Sequence, residues 1–216
     1  MMSLCSDRDI LKYEPTLFGE LYLKNQVVEA GTDGELAGTT FSANGANFVS
    51  AQVEAEDCIY LKSADGSLEG VYEIVSIDSA TQLCVSVLRA EVESDPIAPP
   101  VGTQTTGLTY RISTLRPQIA EADLFFRMFG VTEDIEAGEI LNSEEIKQLC
   151  VLGTIMVIYY SLAGIDMQND ALWDKAEHYE KMFYKGMERV TIAIDKDGDG
   201  VADSVRYGGC GRLIRD

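Results

Sequence analysis

Carboxylates recur at alternate positions in Asp195-Lys196-Asp197-Gly198-Asp199-Gly200-Val201-Ala202-Asp203, the sharpest chemical pattern in the chain. Acids at the first, third, fifth and ninth places, with glycine at the sixth, match the first three quarters of a calcium loop of the EF-hand type. Such spacing turns alternate side chains inward around a hard cation, and Gly200 permits the sharp bend. Asp195, Asp197, Asp199 and Asp203 are then the side-chain ligands, and the Val201 carbonyl is a backbone one. The pattern departs at its end: Arg206 stands where a bidentate glutamate is needed, and the following segment reads as a strand rather than a helix. The competing reading is a solvated hairpin turn in which Asp and Gly serve backbone geometry. Calcium is thus the one candidate cofactor, and nothing else in the sequence requires a cofactor.

Other reactive residues are dispersed. His178 shares a helical stretch with Asp174, Glu177 and Glu180, but a lone histidine lacks the companions that a metal or nucleophile site needs. Asp174 stands four residues before it, an ordinary helix-surface pairing distance. The acid pairs Glu133/Asp134 and Glu144/Glu145 fall in a loop and at a helix start, where acids are stabilised in any case. The sequence contains no serine nucleophile elbow, phosphate loop, GxGxxG or HExxH. These residues point to a chain that is not an enzyme. The cysteines (Cys5, Cys58, Cys84, Cys150 and Cys210) are odd in number, widely spaced and form no CxxC, which favours free thiols in a reducing compartment. Cys58, Cys84 and Cys150 sit in apolar runs, where cysteine acts as a small hydrophobe.

Acidic residues number 36 against 17 basic ones, for a formal charge of -19. A surface so acidic repels a phosphate backbone, which argues against DNA binding by counterion release while allowing DNA to pass without sticking. With 216 residues, 46% of them hydrophobic, the chain has material for one or two units with their own cores. The opening residues lack the basic start and apolar run of a secretory signal. Leu149–Ile165 (LCVLGTIMVIYYSLAGI) is uncharged, but it falls at or just below spanning length and lacks flanking basic clusters, so it reads as a buried central helix rather than a membrane span.

The elements that must position these residues fall into zones. Residues 1–23 read as an N-terminal helix and anchor of the helical domain. Ser6 caps the helix with Asp9 three places on, Pro15 ends it, and Leu17, Phe18, Leu21, Tyr22 and Leu23 seek a core. Residues 24–116 lose helical periodicity and read as an inserted β-barrel-like domain. Its strands are expected at Thr39–Ser42, Cys58–Lys62, Gly70–Ile77, Gln82–Leu88 and Thr109–Thr114, with a proline-rich exposed excursion over residues 91–107. Residues 117–190 form a small helical bundle. Its first face is expected from Ile119, Leu124, Phe125, Met128 and Phe129, and its second helix is opened by Asn142 with Glu145. The last carries Leu172, Trp173, Ala176, Tyr179, Met182, Phe183 and Val190 at helical spacing. Residues 191–216 are an extended C-terminal hairpin and tail. The fold class expected is α+β.

Read in order, three stretches carry a family likeness. They are Ser6-Asp7-Arg8-Asp9-Ile10-Leu11-Lys12-Tyr13-Glu14-Pro15-Thr16-Leu17-Phe18; the module with Gly38-Thr39-Thr40-Phe41, Gly45-Ala46-Asn47-Phe48 and Tyr72-Glu73-Ile74-Val75-Ser76; and the helix Leu172–Tyr179 leading into Ile194–Asp203. In this order they resemble the head–tail connector, or neck adaptor, proteins of tailed bacteriophages. The resemblance covers about two thirds of the chain and contains no catalytic signature. It implies a structural virion protein: a closed ring of about twelve copies beneath the portal protein, joined on its other side to the next neck or tail-completion protein. The bundle would form the ring wall, and the β module would project outward or meet the next neck component. The tail residues Gly208, Gly209, Arg212, Leu213, Ile214 and Arg215 would reach the portal. DNA would pass through an acidic channel without specific binding. The implied location is the virion neck, after assembly in the host cytoplasm, with no membrane involved.

Overall fold

The structure, a computed structural model, describes residues 4–100, 102, 104–128, 135, 137–165 and 170–207. It is α+β, with a closed six-stranded antiparallel barrel and four α-helices among the described residues. The chain divides into two compact units, one of Ser6–Leu115 and one that joins the first few residues to Arg116 onward.

The barrel strands are β1 (Val27–Ala37), β2 (Thr40–Ala43), β3 (Cys58–Lys62), β4 (Glu69–Ser79), β5 (Gln82–Ser86) and β6 (Thr106–Ser113). They run in the order β1-β2-β5-β4-β3-β6, and β6 returns to pair with β1. Closure leaves no sheet edge open to pairing with another chain. Five of the six lie where β-branched runs between turn residues placed them. The sixth, β1, escaped because VVEAGTDGELA carries two glycines and three acids and has no clean alternation. Both glycines have a packing reason. A Cβ on Gly31 would come within 2.6 Å of the Tyr110 ring, and one on Gly34 within 2.8 Å of the Phe41 ring. β1 is bulged around these positions, a common use of glycine inside a strand. The interior is closed by Phe41, Phe48 and Tyr110, with Phe41 edge-on to Tyr110 at 5.2 Å between centroids. Burial, then the nearby Asp33 and Glu29, pushes the Tyr110 phenol up to about 12, so it stays neutral and packs as an aromatic. The excursion after β5 is mostly exposed, yet it is tied down by Val87 N–H to the Ile97 carbonyl (2.9 Å) and Ile97 N–H to Ser86 Oγ (2.8 Å).

The N-terminal helix corrects the expected domain plan. Residues from Ser6 onward belong with the barrel, and of the described residues before it only Leu4 and Cys5 belong with the helices. Helix α1 (Asp7–Leu11) has the expected capping box, Ser6 and Asp9 satisfying each other's backbone N–H groups. All five of its residues are buried. Asp7 accepts the Leu115 N–H at 3.0 Å, the Arg8 N–H donates to the Glu56 carbonyl at 2.9 Å, and the Arg8 side chain reaches Glu73 on β4. Periodicity shows that a short helix exists but not which core receives it. Here buried charges, which must be paired, decide the matter. Arg111 on β6 fixes the anchor that follows. Its guanidinium lies over the rings of Tyr22 (3.5 Å) and Tyr60 (4.7 Å) and donates to the carbonyls of Phe18 (2.9 Å) and Gly19 (2.6 Å).

The other unit holds α2 (Arg116–Met128), α3 (Ser143–Ile165), α4 (Asp170–Met187) and the paired strands β7 (Thr191–Ile194) and β8 (Ser204–Tyr207). Helix α3 is apolar all round, as a helix covered on several sides must be, and packs against both α2 and α4. It is long and apolar enough to cross a membrane, but 72% of its most apolar window is buried inside the protein. The face of α2 differs from the one expected. Ile119, Ala122 and Phe126 are buried, whereas Leu124 is 50% and Met128 72% exposed; Phe129 lies outside the described residues. On α4, Ala176 and Phe183 are buried as expected, as is Val190 just beyond it, while Trp173 and Met182 are exposed. Helical period alone does not separate two apolar stripes on one helix; the neighbour that covers one of them does.

Candidate functional site

The acidic loop joins β7 to β8, and its first aspartate is held by the element before it. Ile192 and Ile194 on β7 are fully buried. The far edge of β7 is engaged by residues 139–142: Leu141 N–H donates to the Ala193 carbonyl (3.0 Å) and Asp195 N–H to the Glu139 carbonyl (2.8 Å). Asn142 serves this clamp. Its side-chain oxygen accepts the Ala193 N–H at 3.0 Å and its amide donates to the Thr191 carbonyl at 2.5 Å, with a 3.3 Å contact to Glu145. The residue expected to cap α3 thus tethers the strand that leads into the loop.

Asp195 is 6% exposed and accepts two backbone hydrogen bonds, from Gly198 N–H (2.7 Å) and Gly200 N–H (2.8 Å). Those bonds, Gly200's first, hold its carboxyl below the usual range against the opposing effect of burial. Gly198 and Gly200 have φ of +76° and +85°, a region that glycine enters without steric cost. Asp199 accepts the Val201 N–H at 2.7 Å, and Asp203 accepts the Lys196 N–H at 2.8 Å, closing the loop on itself.

One carboxylate oxygen from each of Asp195, Asp197 and Asp203 falls within a 4.8 Å group, so three of the five expected ligands converge. Asp199 is not in that group, and Val201 is 66% exposed. Each carboxylate oxygen retains lone pairs beyond its backbone bond, so the donor set of hard oxygens fits calcium in kind. It supplies fewer protein ligands than a complete calcium loop, and Arg206 in the closing place adds none.

The remaining candidates do not assemble. His178 is exposed on α4 with its ring edge-to-face against Tyr179. The acids beside it are engaged elsewhere: Glu177 with Lys181 at 3.3 Å, and Glu180 accepting from the Tyr160 hydroxyl at 2.8 Å. Glu144 pairs with Lys147 at 2.9 Å; Glu133 and Asp134 lie outside the described residues. So do Gly208, Gly209, Arg212, Leu213, Ile214 and Arg215.

Sequence reading missed a buried charge cluster in the barrel. Glu73 on β4 is fully buried and accepts from the Nε atoms of both Arg8 and Arg89, and from the Arg89 N–H at 3.3 Å. Arg8 also donates to the Arg89 carbonyl at 2.6 Å, and Arg89 to the Ser94 carbonyl. The three residues are 65 and 16 positions apart, and no local pattern announces them. With every charge paired and the cluster closed to solvent, it is framework rather than a reactive centre.

Comparisons with protein-family models, with curated proteins and with solved structures return no match.

Proposed function

We propose that the chain is a structural, non-enzymatic head–tail connector of a tailed bacteriophage, working as a ring of about twelve copies between portal and tail. In this reading the helices form a bundle into which the barrel is inserted, and the C-terminal hairpin and tail form the docking end. The observation that carries it is a mismatch between charge and exposure. A chain with a charge of -19 exposes Leu124, Met128, Trp173, Met182, Val205 and Tyr207 from its helices and hairpin. Large apolar side chains left in water on an otherwise highly charged protein suit a subunit whose contacts are completed by neighbours. The likeness of the Ser6–Phe18 stretch supports the same reading. Its Asp7 and Arg8 are consumed in holding α1 to the barrel, and its Asp9 in capping α1, as in a framework element. Acids around a channel would let DNA slide, because like charge suppresses phosphate contacts.

The test is imaging of purified portal vertices or virions. Density for this chain between portal and tail, in a closed ring, is the expected result; density anywhere else overturns the proposal. Light scattering of the chain with substitutions Leu124→Asp and Met128→Asp gives a second check. The variant should remain folded and monomeric where the parent assembles.

A second reading, a calcium-dependent binding module on a virion or cell surface, is favoured by the convergence of Asp195, Asp197 and Asp203. It predicts a rise in melting midpoint on adding millimolar calcium, reversed by chelator and lost in Asp195→Asn and Asp197→Asn. A melt indifferent to calcium removes this reading and leaves the loop as a turn.

A further inference from the structure

Leu4 and Cys5 belong to the helical unit although the 110 residues that follow them, Ser6–Leu115, form the barrel. Cys5 Sγ lies 2.8 Å from Cys150 Sγ on α3, although the two are 145 positions apart in the chain. Cys5 is 5% exposed and Cys150 not at all. The two thiols form a directional chain: Cys5 donates to Cys150, and Cys150 donates to Asp123 Oδ1 on α2 at 3.3 Å. Asp123 also accepts a backbone hydrogen bond from Leu4, which holds the N-terminal segment against the helices. Thr154 Oγ1, 3.9 Å from Cys5 Sγ, donates to the Cys150 carbonyl at 2.8 Å.

We infer that Cys5 and Cys150 are an oxidisable pair, closed to a disulfide by exchange with a low-molecular-weight disulfide, which locks the N-terminal segment onto α3. The sulfurs need approach by less than 1 Å to reach the roughly 2.0 Å of a disulfide. Cys5, the less enclosed of the two, attacks first. Its sulfur bonds to one sulfur of the small disulfide, whose other half leaves as a thiol with the Cys5 proton. Cys150 then attacks the Cys5 sulfur, breaks the mixed disulfide and expels the second small thiol. Its proton passes to Asp123 and from there to that leaving thiolate. Two protein thiols are oxidised and one small disulfide is reduced, with no other reactant. Burial pushes the Cys150 thiol well up, as does its place beside Cys5 and Asp123, and this keeps Cys150 from reacting except with a partner delivered to it. Cys58, also buried, has no sulfur partner among the described residues, and its thiol is likewise pushed up by enclosure, then by Asp7, Asp57 and Glu73.

The test uses the full folded chain incubated with excess oxidised glutathione, then alkylated and mapped without reduction. The expected product has lost two hydrogens and yields one cross-linked peptide pair containing Cys5 and Cys150. Cys150→Ser should stop at a glutathione adduct on Cys5, and Cys5→Ser should leave Cys150 unmodified. The Trp173 fluorescence melt of the oxidised wild type should shift upward by about 5 °C or more. A Cys5–Cys150 link that forms only in denaturant, or a folded chain that accumulates the Cys5 adduct without closing, overturns the inference. Both readouts are taken on the wild type, so a misfolded variant leaves them intact.

Discussion

Replacing Glu73 with alanine is expected to destabilise the barrel unit by about 3–5 kcal/mol, enough to unfold it near physiological temperature if its stability is ordinary. The physical reason lies in what remains. Arg8 and Arg89 are 2% and 5% exposed, and both lose their shared carboxylate while staying enclosed. An intact buried ion cluster contributes little net stability because desolvation offsets attraction, but breaking one strands uncompensated charge. The loss is expected to depend on how many arginines are stranded. In an Arg89→Met background, Glu73→Ala deprives one arginine of its Glu73 partner instead of two, and its cost falls accordingly, with Asp9 still 4.0 Å from Arg8. Urea unfolding followed both by near-ultraviolet tyrosine signals, to which the two units contribute, and by fluorescence of Trp173, which lies only in the other unit, separates the barrel's transition and checks this. A loss below about 1 kcal/mol, the range of an exposed pair, would show that water reaches the cluster.

Phe183→Ala is the corresponding substitution for the helical unit, with an expected loss of about 3–5 kcal/mol. Phe183 is fully buried, lies edge-on to Phe126 at 5.9 Å and near Phe125 at 6.2 Å, and fills the space opposite Gly153 on α3. A Cβ at Gly153 would sit 3.0 Å from the Phe183 ring, so the glycine exists to admit that ring. Removal of the ring therefore leaves a cavity among three helices rather than at an edge, where collapse is hardest. Trp173 fluorescence against urea reads the loss directly. Phe183→Leu, which keeps much of the volume, should recover more than half of it. A near-neutral Phe183→Ala would mean that the helices close over the gap.

These substitutions also mark what could be read in advance. The Ser6/Asp9 cap, five of six barrel strands, the extents of α3 and α4 and the acidic turn were all legible, because each depends on neighbours within a few residues. Strand β1 was hidden, since its glycines make sense only opposite Tyr110 and Phe41, which lie on other strands. At the candidate site, the spacing of aspartates named the loop, but not that Asp199 would turn its carboxylate to Val201 N–H while Asp195, Asp197 and Asp203 converge.

By itself, then, the sequence determined the α+β class, the acidic character, the caps and turns, and which segments are strand or helix. Local backbone preference and hydrophobic period are properties of neighbouring residues. Tertiary structure alone decided that α1 serves the barrel while Cys5 serves the helices, that Glu73 gathers two arginines, and that Leu124 and Met128 face water while Phe126 does not. Each of those outcomes turns on which distant surface covers a side chain. Burial sets both the cost of a charge and the value of an apolar group, so the same residue becomes framework or exposed surface only once its neighbours are in place.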